Sequence, residues 1–366
     1  MQKITTEALL TSYEGALKFS NPLTDTISTD QFSSEYPEQP EWAVGPFRKD
    51  DSLTFRQVHD WSDPTGIGWT ADSIFNPSIM ERDGKLYLFY RASPRKESVS
   101  SRIGVAVYDP ETGWQDSPSN PAIYPTQDNE ILGCEDPKVY QANGRYYMFY
   151  NGIWTIDRSD EQAGQDPDVY PLGDVGCDIN VAVSDDLIHW EKLGLAVPYE
   201  VSRYWAKGAV IPRNAQGEAV KIGRHYLMYL SEGCGGTTHV GRSTDMVNWT
   251  FEPQEYLDLG PLGGSLHEVA CAIVDDGGAG AVVEAGPGTK LVLDFFYGDA
   301  SGHFSAAQAL YDVDQPFTQK AVNRGGSLAW GGLLKFGGNW MFAQGWDAPK
   351  GSREMYFYRA DQETIR

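Results

Sequence analysis

Two adjacent carboxylates stand at the start of a strong hairpin signal in the sequence. Glu135 and Asp136 are followed by Pro137 and then by two runs of aromatic and apolar residues, which Asn143 and Gly144 separate. An Asn-Gly pair between two such runs predicts a β-hairpin. The acids therefore lie where a loop leads into a strand. Two neighbouring carboxyl groups can divide the roles of proton donor and base between them.

The hairpin belongs to a unit that recurs five times along the chain. In each copy a glycine precedes a strand of aromatic and apolar residues, and these glycines are 60, 79, 65 and 50 residues apart. A further strand follows each copy, and in two copies a polar turn then leads to Trp190 or Trp249, which we place on a fourth strand. Five units of about four strands predict an all-β, five-bladed β-propeller. A β-sandwich with a second domain is the alternative.

The part of the chain before the repeat has a different composition. Residues 21–46 are rich in Pro, Ser and Glu, and they include aromatic residues such as Phe32 and Trp42 that could anchor an extended segment. We therefore expect an irregular N-terminal arm at residues 1–71 that packs on the propeller. The propeller itself, at residues 72–366, is the expected catalytic domain.

A propeller would bring the strand starts together, because the first strand of each blade lines the central channel. These positions carry carboxylates, cations and tryptophans, which suit the cleavage of a glycosidic bond. We expect Glu268 to be a catalytic base, since a charge flanked by apolar residues is costly to bury unless it is used. Clustered acids should also raise one another's pKa and keep one of them protonated. The residues predicted to bind substrate are Asp72, Asn76, Arg91, Glu135, Trp154, Lys207, His267 and Trp330.

Each of these residues also has a structural interpretation. Asp136 could cap a turn before its proline, and Glu135 could balance a nearby cation. Trp154 and Trp330 could pack between blades instead of forming platforms for sugar rings. We expect His267 to be a hydrogen-bond partner and not a metal ligand. The sequence predicts no metal site and no cofactor.

The charge and the cysteines limit the class of partner. The formal net charge of -22 disfavours nucleic acid, anionic membranes and polyanionic substrates, and fits a neutral oligosaccharide or glycoside. The acidity could also serve solubility alone. The N-terminal residues lack the apolar region of a signal peptide, and no run approaches the ~18 apolar residues of a membrane helix. The four cysteines lack C-x-x-C spacing, so we expect buried free thiols in a reducing cytoplasm.

Three motifs resemble glycoside hydrolase family 130. They are Phe-Asn-Pro at 75–77, Glu-Asp-Pro-Lys-Val at 135–139 and Ala-Lys-Gly-Ala-Val-Ile-Pro at 206–212. The resemblance covers roughly residues 72–249, and the Glu-Asp-Pro motif is shared in looser form with families 32, 43 and 68. The family contains mannoside phosphorylases and some hydrolases on a five-bladed propeller. The resemblance implies that Asp136 is the proton donor and that Lys207 lies in the substrate or phosphate site.

The chain departs from the phosphorylase pattern at one position. Where the resemblance leads us to expect a phosphate-binding arginine, this chain has Asp178. An acid there would repel phosphate, which favours hydrolysis, and we place Asp178 among the residues around the substrate. The nucleophile of the invertase type is also missing at Asn76, and Asp72 is a weak substitute for it.

Three functional hypotheses follow. The first is an exo-acting, inverting glycoside hydrolase that cleaves a neutral substrate. The second is a glycoside phosphorylase, which would need an anion site built from Arg91, Lys207 and Arg203. The third is a sugar-binding propeller without catalysis, which would keep the tryptophans but would not need the acids to be close together.

Overall fold

The five-bladed β-propeller predicted from the repeat is confirmed. The computed structural model describes residues 5, 7–8, 29–61, 68–94, 99–157, 159, 174–275, 282–301, 303–349 and 351–360. Its main sheets are antiparallel and follow one another along the chain, one sheet for each copy of the repeat. The alternative of a β-sandwich with a second domain is therefore wrong.

The first two blades are regular sheets of four strands. The strands of the first blade are Ser73–Arg82, Lys85–Ser93, Arg102–Asp109 and Gly113–Asp116. Those of the second blade are Gly133–Ala142, Arg145–Thr155, Val175–Ser184 and Glu191–Leu195.

The third blade is less regular than the fourth. In the third, a short pair of strands, Ala206–Lys207 and Glu232–Gly233, precedes the sheet of Tyr226–Leu230, His239–Ser243 and Thr250–Pro253. The fourth blade consists of Gly264–Asp275, Lys290–Asp299, Phe304–Asp312 and Ala321–Arg324. A parallel pair, Lys221–Ile222 and Glu284–Ala285, joins these two blades.

The fifth blade combines strands from both ends of the chain. Leu334–Phe336, Asn339–Gln344 and Glu354–Ala360 come from the C-terminal part, and Arg48–Lys49 and Phe55–Arg56 both pair with the last of these. The N-terminal residues thus add the outer strand that completes the ring. Short helices lie outside the sheets: the α-helices Thr29–Glu35 and Tyr199–Ser202, and the 3-10 turns Asp51–Leu53, Asp128–Glu130 and Cys234–Gly236.

Apolar layers between neighbouring blades form the core. Met80 and Phe89 of the first blade pack with Val139 and Met148 of the second, and similar clusters lie at each of the other blade junctions. Aromatic and β-branched side chains suit such half-buried sheet surfaces. Because both faces of each inner sheet are covered, a single blade could not remain folded alone.

Two buried cations occupy the centre of the ring. Arg213 is 1% exposed, and it donates from Nε to the Leu333 carbonyl at 2.9 Å and from Nη1 to the Val139 carbonyl at 3.3 Å. Lys138 donates to the carbonyl of Ala270 at 3.2 Å. Each cation therefore joins backbone groups of different blades. Burial lowers the pKa of both side chains.

The positions of two tryptophans differ from the sequence-based prediction. Trp190 and Trp249 lie immediately before the fourth strands of their blades and not on them.

All four cysteines are buried and unpaired, as expected. In the part of the chain that the structure describes, no helix has the length and apolar character needed to cross a membrane.

A buried carboxyl lies where the N-terminal residues contact the fourth blade. Gln308 binds both backbone groups of Val44, accepting from its N–H at 2.8 Å and donating to its carbonyl at 3.0 Å. The same amide donates to Asp294 Oδ2 at 2.7 Å, and the N–H of Ser327 donates to that oxygen at 3.0 Å. Asp294 is fully buried, and burial raises its pKa from 3.8 to about 7.

This carboxyl predicts a dependence of stability on pH. Between pH about 4 and about 7 the unfolded chain ionises Asp294 while the folded chain keeps it protonated, so stability falls as pH rises and the loss is complete above about 7. Asp294→Asn removes this loss. The free energy of unfolding of Asp294→Asn minus that of wild type should increase by about 2–3 kcal/mol from pH 5 to pH 8, as measured by urea titrations. Asp51→Asn, at a side chain that is 84% exposed, is the control, and an equal difference at both pH values would contradict the prediction.

Candidate active site

Equivalent bulges interrupt the innermost strands of the first two blades. Phe75 pairs with Arg91 and the next regular pair begins at Ser78, and the second blade repeats this break after Glu135. The residues inside the breaks, Asn76 and Asp136, have φ of 41° and 53°. Asn and Asp tolerate this left-handed backbone better than most residues. A bulge redirects a side chain out of the regular alternation of the strand, and here it brings both residues into contact.

Asp136 lies at the centre of the site and accepts hydrogen bonds from side chains of two other blades. Asn76 Nδ2 donates to Asp136 Oδ1 at 2.8 Å, and Arg91 Nη1 donates to the same oxygen at 2.9 Å. Lys207 Nζ donates to Oδ2 at 2.8 Å. Three side chains from the first and third blades therefore hold one carboxyl of the second.

Glu135 completes a balanced cluster of four charges. Arg91 forms a close ion pair with Glu135 in addition to its bond with Asp136, and Lys207 Nζ lies 3.8 Å from Glu135 Oε1. The side chains of Arg91 and Glu135 are 4% and 3% exposed. Two cations thus neutralise two carboxylates that are almost out of contact with water.

The electrostatics of Asp136 differ from those expected for a resting proton donor. Burial alone would raise the pKa of this carboxyl, but the charges of Lys207 and Arg91 and the hydrogen bond from Asn76 hold it well below its ordinary value. Burial alone would lower the pKa of Lys207, but the carboxylates of Asp136 and Glu135 raise it. The expectation that clustered acids keep one protonated therefore does not hold for Asp136 in the resting protein, because cations and not acids are its nearest charges.

Glu268 is the second buried carboxyl of the site. It lies beside a break in the pairing of the innermost strand of the fourth blade and is 5% exposed. Its Oε2 accepts a hydrogen bond from Trp330 Nε1 at 2.7 Å, and its Oε1 lies 3.7 Å from Lys138 Nζ. Burial raises the pKa of Glu268, and the charge of Lys138 offsets this only in part. The raised pKa favours the proton-bound form of Glu268, whereas the sequence analysis assigned this residue as the base.

Lys207 and Gly208 connect the two carboxyls. Lys207 binds Asp136, and a Cβ on Gly208 would lie 3.4 Å from Glu268 Oε1. Gly208 has φ of +75°, a conformation that other residues adopt at a cost. A side chain at this position would therefore contact Glu268 directly.

Trp330 contributes its edge to the site and not its face. Phe296 stacks on one side of its ring with centroids 4.3 Å apart, and Trp346 stacks on the ring at 5.5 Å. The residue is 7% exposed, so it cannot serve as the sugar platform that the sequence suggested. Its contribution is the N–H bond to Glu268.

Asp72 and His267 lie away from these contacts. Asp72 accepts a hydrogen bond from the Ser73 hydroxyl at 2.7 Å, and it precedes Asn76 by four residues, about 13 Å along an extended strand. His267 occupies the bulge next to Glu268, is exposed, and packs its ring against Phe304 at 5.2 Å. His267 lies in the break of the strand pairing with its side chain exposed, whereas that of the adjacent Glu268 is buried.

Asp178 and Trp154 form a second polar region, which belongs to the second blade. Asn129 Nδ2 donates to Asp178 Oδ2 at 3.2 Å, and burial raises the pKa of Asp178 to about 6. The half-buried Trp154 packs edge-on against Tyr204 at 5.7 Å. Asn151, which pairs with Glu135, connects this region to the central cluster by donating to the Asp178 carbonyl at 3.3 Å.

The sequence-based search missed Glu232 and Trp346. Glu232 pairs with Lys207 and accepts a hydrogen bond from Trp205 Nε1 at 3.1 Å. Arg91 holds the equivalent strand position in the first blade. Arg91 follows its turn glycine, Gly84, by seven residues, whereas Glu232 follows Gly223 by nine. The two additional residues concealed this equivalence. Trp346 donates from Nε1 to Asn76 Oδ1 at 2.6 Å.

Comparison with known proteins agrees with the fold and the motifs. The model of glycoside hydrolase family 130, described as β-1,4-mannooligosaccharide phosphorylase, matches residues 52–167. This region contains Asn76, Arg91, Glu135 and Asp136, whereas Lys207 and Glu268 lie beyond it.

Two individual proteins and one solved structure show the range of similarity. A 1,2-β-oligomannan phosphorylase from Thermoanaerobacter sp. is 24% identical over 186 residues, which are 50% of this chain and 53% of that protein. Xylosidase/arabinosidase 43A from Humicola insolens is 34% identical over 89 residues, 24% of each chain. The chain therefore spans about half the length of the first of these relatives.

A solved structure extends the similarity to most of the chain. It comes from work on the GH130 family of mannoside phosphorylases, which is described as containing glycoside hydrolases that target β-1,2 mannosidic linkages in Candida mannan. The TM-score is 0.59 at 20% identity, over 87% of this chain and 95% of that one, which supports the fold. The chain is therefore similar to glycoside hydrolase family 130 over residues 52–167, with a shorter similarity to xylosidase/arabinosidase 43A, and it shares the five-bladed fold.

Proposed function

We propose that this protein is an exo-acting, inverting glycoside hydrolase that uses Asp136 and Glu268 as its acid–base pair. The observation that carries the proposal is that these two buried carboxyls flank Lys207 and Gly208, with pKa values moved in opposite directions. Two carboxyl groups whose environments separate their pKa values are the usual basis for assigning an acid and a base. A binding module would not need this arrangement.

The electrostatics assign the base to Asp136 and the acid to Glu268. Asp136, held as an anion, would remove a proton from a water molecule as that water attacks the anomeric carbon. Glu268 would donate its proton to the leaving oxygen as the glycosidic bond breaks. Since Trp330 N–H occupies Oε2 of Glu268, the transferable proton belongs on Oε1, which faces Gly208. This assignment is the reverse of the one that the family resemblance implies.

The substrate that we propose is a neutral β-mannoside. The formal net charge of the chain is -22, which disfavours an anionic sugar. The related proteins act on mannosides by their names and titles: one is a 1,2-β-oligomannan phosphorylase, and the solved structure belongs to work on β-1,2 mannosidic linkages. β-1,2-Mannobiose and nitrophenyl β-mannoside are therefore the first compounds to test.

The engagement of the cations supports hydrolysis over phosphorolysis. Arg91 and Lys207, the cations nearest to the site centre, already bind Glu135 and Asp136. Phosphate would have to compete with these carboxylates for both cations. Asp178, with its pKa of about 6, is mostly ionised at neutral pH and would add repulsion.

A glycoside phosphorylase is the second candidate, because the curated mannan-active relative carries that activity in its name. The two functions give different products from the same bond. Hydrolysis yields free sugar, whereas phosphorolysis yields sugar 1-phosphate.

The first prediction concerns the product and phosphate. We expect wild type to release free mannose from β-1,2-mannobiose, with the inverted α anomer appearing first in the NMR spectrum. Addition of 10 mM phosphate should leave the rate within about twofold, because Arg91 and Lys207 already bind Glu135 and Asp136. Sulfate at equal ionic strength is the control. A several-fold acceleration with release of mannose 1-phosphate would replace the hydrolase proposal with the phosphorylase.

The second prediction separates the roles of the two carboxyls. Asp136→Asn and Glu268→Gln should each lower kcat by a factor of ~10²–10⁴ on mannobiose, the usual contribution of a general acid or base. On a dinitrophenyl mannoside, whose leaving group needs little protonation, we expect Glu268→Gln to recover most of its activity and Asp136→Asn to stay slow.

A matched control tests whether the losses reflect chemistry. Asp109→Asn removes a carboxyl that pairs with Lys85 at 2.8 Å at the outer part of the first blade, and it should retain the wild-type rate. If Asp136→Asn is instead the variant that the better leaving group rescues, Asp136 is the proton donor and the assignment of acid and base is reversed. If both variants keep full activity, the site itself is wrong.

A further inference from the structure

Two stacked tryptophans of the fifth blade connect the two carboxyls. Trp330 and Trp346 lie with ring centroids 5.5 Å apart and planes 23° from parallel. Trp346 Nε1 donates to Asn76 Oδ1 at 2.6 Å, and Asn76 Nδ2 donates to Asp136. Trp330 Nε1 donates to Glu268 Oε2 at 2.7 Å. The pair therefore reaches one carboxyl through an amide and the other directly.

The hydrogen-bonding capacity of each group fixes the direction of these bonds. An indole N–H can only donate, an ionised carboxylate can only accept, and an asparagine amide can do both. Trp346 therefore requires the oxygen of Asn76 to face it, which leaves the NH₂ group of Asn76 to face Asp136. Without the indole N–H, the oxygen of Asn76 would lose this donor, and the amide would be held less firmly in line with Asp136.

The surrounding contacts hold the indole pair in place. Phe296 stacks on Trp330 with centroids 4.3 Å apart, and Phe75 packs edge-on against Trp346 at 6.2 Å. The backbone N–H of Trp346 donates to Gln344 Oε1 at 2.6 Å, and Gln344 is fully buried. The two rings can therefore act as a rigid spacer and not as mobile surface groups.

We propose that the Trp330–Trp346 pair is a positioning device that sets the spacing of Asp136 and Glu268 and fixes the orientation of the Asn76 amide. The proposal rests on the function given above, in which these carboxyls are the acid–base pair. Neither tryptophan is a catalytic residue in this scheme, since each acts through a carboxyl or through the amide. Correct spacing of the two carboxyls is what determines how water and leaving group are accommodated between them.

The charged groups around each carboxyl stay the same when an indole is replaced. Arg91, Glu135, Lys207 and Lys138 influence Asp136. The charges that act on Glu268 are those of Lys138, Lys207, Glu232 and His267. A change in the titration of either carboxyl in a tryptophan variant therefore reports the loss of the N–H contact.

The test replaces each tryptophan by phenylalanine, which keeps an aromatic ring and removes the N–H. We expect Trp346→Phe to lower kcat about tenfold with KM within threefold, and to move the acid limb of the pH profile to higher pH, because Asp136 loses an oriented donor. Trp330→Phe should lower kcat similarly but move the alkaline limb to higher pH, because Glu268 loses its donor.

Trp114→Phe is the matched control. Trp114 donates to the Leu53 carbonyl at 2.9 Å and packs against Phe55 with centroids 5.2 Å apart, so its replacement also removes an indole bond and ring contacts, but it contacts the N-terminal residues and not the site. We expect this variant to keep the wild-type pH profile. A profile for Trp346→Phe that matches that of Trp114→Phe would overturn the proposal.

A titration by NMR makes the test independent of the assigned activity. The ¹³Cγ titration of Asp136 by NMR needs no substrate, and we expect its pKa to rise in Trp346→Phe. If wild type cleaves no glycoside but this pKa still rises, the proposed function fails and the positioning role stands. If wild type is active, the double variant Asn76→Ala, Trp346→Phe should lower kcat no further than Asn76→Ala alone, because both changes act on one contact. Additive losses would show that Trp346 does not act through Asn76.

Discussion

The site depends on the mutual neutralisation of four buried charges. Removing Arg91, Glu135, Asp136 or Lys207 from water costs several kcal/mol for each ion unless a partner of opposite charge is present. The structure meets this requirement with contacts of 2.8–2.9 Å from Arg91 and Lys207 to Asp136 and with the Arg91–Glu135 pair. Because the four side chains come from three blades, the cluster also fixes how those blades lie against one another.

The backbone of the innermost strands makes this cluster possible. Regular strands would direct alternate residues to opposite faces, whereas the breaks at Asn76 and Asp136 turn both residues toward the channel. Beneath them, Lys138 and Arg213 fill the centre of the ring and bind carbonyls of the neighbouring blades. These two cations therefore join neighbouring blades next to the site, and Lys138 Nζ also lies 3.7 Å from Glu268 Oε1.

The two carboxyls acquire different properties from different neighbours. Asp136 is surrounded by donors and cations, which favour its anion, whereas Glu268 has one indole donor and a cation 3.7 Å away that is itself bound to carbonyls. Similar acids in unlike environments are a recurring solution for acid–base chemistry near neutral pH. The match to the family model covers Asp136, and in this chain Arg91 and Lys207 supply the cations that balance it.

The sequence by itself determined the number of blades, the second and third strand of each blade, and Asn76, Arg91, Glu135, Asp136, Lys207 and Glu268 as residues of one site. Local patterns carry that information, because turn glycines, alternating aromatic residues and short motifs lie close together in the chain. Only the tertiary structure decided which carboxyl is ionised, since Asp136 meets Lys207 across 71 residues. It also moved Asp72 and His267 away from the centre, and it added Glu232 and Trp346, whose places depend on strand register and on contacts between blades. Pairing across such distances has no local signal, because it follows from how the five blades close into a ring.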